Sequence, residues 1–437
     1  MKIGIVLGTR PEIIKMASVI DEIKNTGNEC IIIHTGQHYD EEMSKQFFID
    51  LKLQLPKYNI GSGSGTALQQ ISKIILELET IISEENIDII LVQGDTNAVL
   101  AGALAANKLK IPVGHVEAGL RSFDKNMPEE INRILADNCS SIFFVPTKET
   151  AINLQNEGIN HDAIHVTGNT IVDACYRNLD IAIEKSKIKE EINFEDFIVL
   201  TLHRAENVDD VNRLESIVNS LININHDIIF PIHPHTKKSL KKYGLYDKII
   251  NAEHIQTIKP VGYLDFLYLL SNSKLVLTDS GGVQEEAITL NVPCITLRYN
   301  TERPETILAG GNVLAGTNEE EIMESINNIL NNKDVYDKMS NAVNPYGDGN
   351  SSKIILNIIK EYFEENVFNE NCKQQILDFE GYYLKEIKEN ITVHDFEQIN
   401  ENHKIEQIFS NGLPELIEKE TDLNNKTIIV KKFESKN

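Results

Sequence analysis

The turn GTRPEIIK combines residues with chemical potential: Gly8 permits close backbone approach, and Arg10 and Lys15 bring positive charge to a helix start. This suits a phosphate, and equally suits a helix that simply begins with charge at the surface. A second turn, TDSGGVQEEA, places Ser280, Gly281 and Gly282 where hydroxyl and amide donors at a helix amino end favour a diphosphate. Glu285 or Glu286 can accept from a ribose diol one turn on, although capping with acidic first-turn residues explains the same pattern. Asp95 ends LVQGD, Glu117 ends GHVE, and Glu129 and Glu130 open the helix that carries Arg133. Carboxylates sharing a dry pocket have divergent pKa values, which suits separate acid and base roles; solvated capping accounts equally well for any one of them. His34, His38, His115, His203, His233 and His235 also lie at or near predicted strand ends. Substrate hydrogen bonding by His203 or His233, structural contacts and metal ligation all fit individual histidines. No HExxH or comparable ligand set compels a metal, so none is assigned. GxSxG, GxGxxG and Walker patterns are absent, as is a cysteine with an adjacent catalytic partner.

The elements that must hold these residues alternate. KIGIVLG, ECIIIHTG, IDIILVQGD, IPVGHVE and SIFFVPT are short apolar runs separated by amphipathic stretches, including helices over EIIKMASVIDEIKNTG, about 97–109 and PEEINRILADNCS. This is the rhythm of a parallel sheet covered by helices. It pauses near 170, where Lys and Glu crowd a helix-like segment at 180–192, and restarts with DFIVLTLH, DIIFPIH, SKLVLTDSGG and VPCITLR, with a helix from Val283. The expected organisation is an α/β chain with an N-terminal domain over 1–170, a second over 171–366 and an extension over 367–437. A helix at 351–366 closes the second domain or crosses back to the first. In the extension, DFEGYYLKEIKEN reads as helix-like and KTIIVKKF as a strand. A ligand belongs in the cleft where the carboxyl ends of the two sheets meet.

The whole chain has 437 residues, 41% of them hydrophobic, enough for two packed cores. With 42 Lys and Arg against 66 Asp and Glu, its formal charge is −24, which opposes a broad nucleic-acid or anionic-membrane surface. The odd set Cys30, Cys139, Cys175, Cys294 and Cys372 contains no CxxC pair and suits a reducing compartment. No segment sustains about eighteen apolar residues, so the expectation is a soluble cytoplasmic protein.

The combination resembles the non-hydrolysing UDP-N-acetylglucosamine 2-epimerases. The matching segments are GTRPEIIKM, TGQHYD, VQGDTN, GHVEAGLRS, MPEEINR, VTGNTIVDA, LTLHRAEN, FPIHP, LTDSGGVQEEA, TERPE and NPYGDG, in family order over residues 1 to about 365. The resemblance implies two Rossmann-like domains in a GT-B-like arrangement, a homodimer, and reversible conversion of UDP-GlcNAc to UDP-N-acetylmannosamine. It further implies loss of the C2 proton with elimination of UDP, then return of UDP and protonation on the opposite face, so no nicotinamide cofactor is called for. Carried over residue by residue, Asp95, Glu117 and Glu129 are the acidic functional positions, with Asp95 and Glu117 handling protons. Arg10, Lys15 and Arg133 serve the substrate, and His203, Ser280, Gly281, Gly282, Glu286 and Arg303 lie on the nucleotide side.

One departure concerns regulation. Family members activated by a second UDP-GlcNAc contact it partly through a Gln-His pair and another Gln two residues later. Gln37 and His38 match the pair, with His233 a further candidate contact, but Asp40 puts a negative charge in the remaining position. Alternatives with the same motifs are a UDP-2,3-diacetamido-glucuronate 2-epimerase, which needs a cation near the sugar C6, a GT-B glycosyltransferase, and an inert sugar-nucleotide sensor.

Overall fold

The computed structural model describes residues 1–36 and 41–364 and four further strands within 382–432. Buried apolar runs build the first sheet: β1 (Lys2–Leu7), β2 (Glu29–His34), β3 (Tyr58–Asn59), β4 (Ile89–Gln93), β5 (Val113–Val116), β6 (Ile142–Val145) and β7 (Ile164–Val166). They are all parallel, in the order β3-β2-β1-β4-β5-β6-β7. The second sheet comprises β8 (Phe197–Thr201), β9 (Asp227–Pro231), β10 (Ile255–Ile258), β11 (Leu275–Thr278), β12 (Cys294–Thr296) and β13 (Asn312–Leu314). It is also parallel, in the order β10-β9-β8-β11-β12-β13. Strands whose two faces are both covered by helices need no polar alternation, which is why these segments read as nearly continuous apolar runs.

In each sheet the strand order reverses once, at β1/β4 and at β8/β11. The connections leaving those strands diverge to opposite faces and open a crevice at the carboxyl ends, the usual ligand position in open α/β sheets. Gly8 follows β1, Asp95 follows β4, His203 follows β8 and Ser280 follows β11. The fold is a pair of Rossmann-like units in a GT-B-like arrangement, as expected.

The expected pause near 170 is filled. Asn169 accepts a bond from the Ile171 amide at 3.1 Å and starts a helix over Thr170–Lys185, and only its last turns carry the Lys and Glu that suggested a boundary. The helix Ser351–Glu364 crosses back: Ile355, Leu356 and Ile359 join Ile13, Met16, Val172 and Cys175 in one core. Its amino end is capped by Asp173, which accepts from the Ser351 and Ser352 amides at 3.2 and 2.8 Å. The VTGNTIVDA and NPYGDG motifs therefore meet, since the Asn169 amide also donates to the Tyr346 carbonyl at 2.8 Å.

Beyond 364, β14 (Tyr382–Glu386), β15 (His403–Ser410), β16 (Leu413–Glu415) and β17 (Thr427–Lys432) form an antiparallel sheet in the order β14-β17-β15-β16. KTIIVKKF supplies a strand as expected. Within DFEGYYLKEIKEN the helix-like reading is corrected at Tyr382–Glu386, a strand that pairs with Thr427–Lys432, and the rest of that segment lies outside the described residues. Adjacent aromatic and aliphatic residues fit a cross-strand pairing better than a weakly periodic helix.

Gly168 is constrained twice, by a φ of +80° and by the Tyr346 carbonyl, which a Cβ would meet at 2.6 Å. Gly168→Ala is expected to cost about 2–4 kcal/mol, through left-handed strain and the displaced crossing, and to lower the thermal midpoint without altering the sheet content seen by circular dichroism.

Candidate active site

The turn after β1 is organised by a residue whose only sequence signal is its capping-box spacing from Thr9. The buried Glu12 carboxylate accepts from the Gly8 amide and, at 3.1 Å, from the Thr9 amide. Burial pushes its pKa up to about 7 against the pull of these donors. The amides of Gly8 and Thr9 are thus already used within the turn. Arg10 is exposed, with its guanidinium 5.5 Å from the Phe47 ring centre, whereas Lys15, one turn further, reaches inward.

Lys15 meets Glu117. The Nζ donates to Glu117 Oε1 and Oε2 at 2.8 and 2.6 Å, and Gln93 Nε2 donates to Oε2 at 2.6 Å. Glu117 has φ +67°, a left-handed backbone unusual for a residue with a long side chain, and its amide donates to the Phe144 carbonyl at 3.0 Å. Burial opposes its charge, but Lys15 and Arg303 prevail and hold the carboxyl below its usual range. Arg303 Nη2 lies 3.8 Å from Glu117 Oε1, and its Nε donates to Glu285. Glu285 Oε2 is 3.6 Å from Lys15 Nζ, which closes a ring of alternating charge. Lys15 and Glu117 belong to the first sheet's side and Glu285 and Arg303 to the second's, so the ring spans the cleft.

Beside it, the partly exposed Asp95 pairs with Arg133, whose Nη1 is 3.0 Å from Glu130 Oε2. Asn132 Nδ2 holds the Asp95 carbonyl at 2.9 Å. Of the two glutamates opening this helix, Glu129 is exposed, while Glu130 is buried and accepts from the Ser122 and Phe123 amides, both at 2.9 Å. Glu130 therefore anchors the preceding loop. His115 is structural in its contacts: Nδ1 lies 2.6 Å from Asp137 and Nε2 2.9 Å from the Gly94 carbonyl, fixing the turn that presents Asp95.

On the second sheet, His203 Nδ1 lies 3.1 Å from Asp279 Oδ1. Asp279, not singled out by sequence reasoning, is fully buried and also accepts from the His203 and Arg204 amides at 3.0 and 2.8 Å. Its signal was its place immediately after an apolar strand and before Ser-Gly-Gly. Burial works against its charge, but the His203 ring and these amides hold it below the usual carboxyl range. The helix expected from Val283 begins two residues earlier, at Gly281, with Ser280 as its cap. Gly282 is exposed, with no atom within 4 Å of where a Cβ would stand, whereas Gly281 is buried and a Cβ there would lie 3.6 Å from Glu302 Oε2.

Glu286 lies within electrostatic reach of Glu285 and Lys15. It is buried, and burial followed by the Glu285 charge pushes its pKa up to about 8. The His233 ring lies 6.1 Å from that of His203, centre to centre. Gln37 and His38 lie outside the described residues. A cavity of about 720 Å³ opens between the units, lined by Arg10, Phe47 and Leu51 on one side and Val261, Tyr263 and Asp265 on the other. Among the described residues, no three or more His, Cys, Asp or Glu side chains converge as a metal site would.

Chemically, the cleft pairs an ionised, cation-flanked carboxylate with a more exposed Asp–Arg pair, opposite a helix amino end and a carboxylate-oriented histidine. Such a site can move protons on a ligand whose anionic end is held by the second unit.

Comparison with known proteins agrees. A family model described as UDP-N-acetylglucosamine 2-epimerase matches residues 21–360. The chain is 52% identical over 367 residues to the UDP-N-acetylglucosamine 2-epimerase of Methanocaldococcus jannaschii, covering 82% of this chain and 99% of that relative. It is 51% identical over 366 residues to that of Methanococcus maripaludis, covering 82% and 98%. The solved structure of UDP-GlcNAc 2-epimerase from M. jannaschii superposes with a TM-score of 0.76 at 50% identity, covering 83% of this chain and all of that one, 100%. With these likenesses over most of its length, the chain belongs to the UDP-N-acetylglucosamine 2-epimerase family.

Proposed function

We propose that this protein reversibly converts UDP-N-acetylglucosamine to UDP-N-acetylmannosamine, eliminating and then re-adding UDP. The observation that carries the catalytic reading is Glu117: a buried carboxylate on left-handed backbone, kept ionised between cations from opposite sides of the cleft. The C2–H bond is weakly acidic, so its removal needs a positioned base and simultaneous stabilisation of charge on the leaving diphosphate. Glu117 and Asp95 handle the two protons on opposite faces of the sugar. Glu129, exposed at the start of the helix that carries Arg133, assists them or exchanges roles with one of them. The Ser280–Gly282 turn, His203 oriented by Asp279, and Arg10 and Arg303 hold UDP, while Arg133 fixes Asp95.

The active form is a homodimer. Leu68 and Leu76 on the helix Ala67–Glu85 are 76% and 66% exposed, and Ile131 and Leu135 on the helix Pro128–Cys139 are 39% and 45% exposed. Both helices pack against the helix Asn97–Lys108, so their apolar residues lie on one side of the first unit, where a second copy would cover them. The compartment is the cytoplasm: no described helix is long and apolar enough to cross a membrane, and Cys30, Cys139, Cys175 and Cys294 are free thiols.

Asp95→Asn is expected to bind UDP normally while losing about 10²- to 10⁴-fold in turnover and in C2 exchange from D₂O, measured by NMR; undiminished exchange would remove Asp95 from the mechanism. Lys15→Met takes away a cation that holds the Glu117 pKa down. The acid limb of its kcat/KM profile should consequently move to higher pH, and an unmoved limb would show that Glu117 ionisation does not govern the rate. Leu76→Glu combined with Leu135→Glu should yield monomers in light scattering. A persistent dimer would place the interface elsewhere.

A further inference from the structure

Glu285 has no part in the catalytic reading above, yet it is among the most enclosed charges in the cleft, with its side chain only 1% exposed. Besides Arg303, its Oε1 meets Asn169 Nδ2 at 3.4 Å. Its Oε2 is buried with no hydrogen-bond partner and faces Lys15 Nζ at 3.6 Å. It lies one turn into the helix that begins with Gly281 and Gly282. A carboxylate is a poor neighbour for a diphosphate, and an incompletely bonded buried one is costly to keep. Its position calls for a function that uses its negative charge.

That function follows from the charge of the ring. Lys15 and Arg303 contribute two positive charges and Glu117 and Glu285 two negative ones, so the resting ring is neutral. In the elimination step the C2 proton moves to Glu117, the C2–H electrons form the C1–C2 double bond, and the C1–O electrons leave with the β-phosphate oxygen of UDP. The ring then carries one net positive charge just as the leaving group gains one negative charge. Without Glu285 the ring would be positive at rest, and nucleotide would be held tightly before and after the reaction as well as during it. Uniform tightening of that kind does not accelerate the chemical step.

We propose that Glu285 is a positioning residue that neutralises Lys15 and Arg303 in the resting enzyme, so that their attraction for the departing diphosphate develops only when Glu117 takes up its proton. This rests on the epimerase reading, but its main test does not require turnover. Glu285→Gln should bind UDP about tenfold more tightly than the wild type in calorimetry at moderate salt, with a steeper loss of affinity as salt is raised. Glu285→Asp, which keeps the charge, should restore affinity close to that of the wild type. Glu117→Gln reaches the same ring charge by another route and should also tighten UDP binding, which keeps the test open if Glu285→Gln does not fold. Structural damage alone would weaken binding. Unchanged or weaker UDP affinity in folded Glu285→Gln, or in Glu117→Gln if the former is unfolded, would overturn the proposal. Absence of C2 deuterium in wild-type protein incubated with UDP-GlcNAc in D₂O would instead reject the epimerase reading, leaving the UDP result to stand as a statement about the ring.

Discussion

Burying four formal charges is tolerable only if each lies beside its opposite, and this constraint governs the cleft. Lys15, Glu117, Arg303 and Glu285 alternate in sign, so the Coulomb attraction among them offsets a desolvation cost that any one of them alone would not survive. Because the members come from both units, the ring ties the cleft together across its width. It also keeps Glu117 anionic in a place where burial alone would protonate it.

The backbone serves this arrangement at several points. Each sheet reverses its strand order once, and the crevices so formed receive the turns that carry Asp95, His203 and Ser280. Glu117 takes a left-handed conformation that turns its carboxylate toward Lys15, and Gly168, also left-handed, lets the chain pass against Tyr346 as it leaves the first sheet. Asp173 then caps the helix that returns from the second unit to the first. The linking segments are thus packed into the first unit's core, so strain at the site is supported by distant burial.

Two pairs of adjacent glutamates show how one helix start divides labour. Glu129 faces water and Glu130 anchors a loop; Glu285 is ion-paired within the ring, while burial and the neighbouring Glu285 charge push the Glu286 pKa up. Neighbouring helical residues point about 100° apart, so two identical side chains in succession meet different surroundings. Glu12 follows the same logic, occupying amides that a glycine-rich turn would otherwise present to a ligand.

Much was legible from composition and spacing. Continuous apolar runs marked the parallel strands because two-sided burial leaves no room for polar residues, and the motif set at their ends identified the family and the cleft. Other features escaped because they depend on contacts between segments far apart in the chain. The helix from Thr170 was hidden by the charges of its last turns, and the strand at Tyr382–Glu386 depended on pairing with residues over forty positions away. The amino-acid order by itself determined which residues stand at strand ends and helix starts, since local periodicity and turn chemistry decide that. Only the tertiary structure decided which of those charges face one another. Electrostatic partnership depends on separations of a few ångströms between side chains far apart in the chain, 270 residues for Lys15 and Glu285 and 186 for Glu117 and Arg303, and no local pattern encodes those separations.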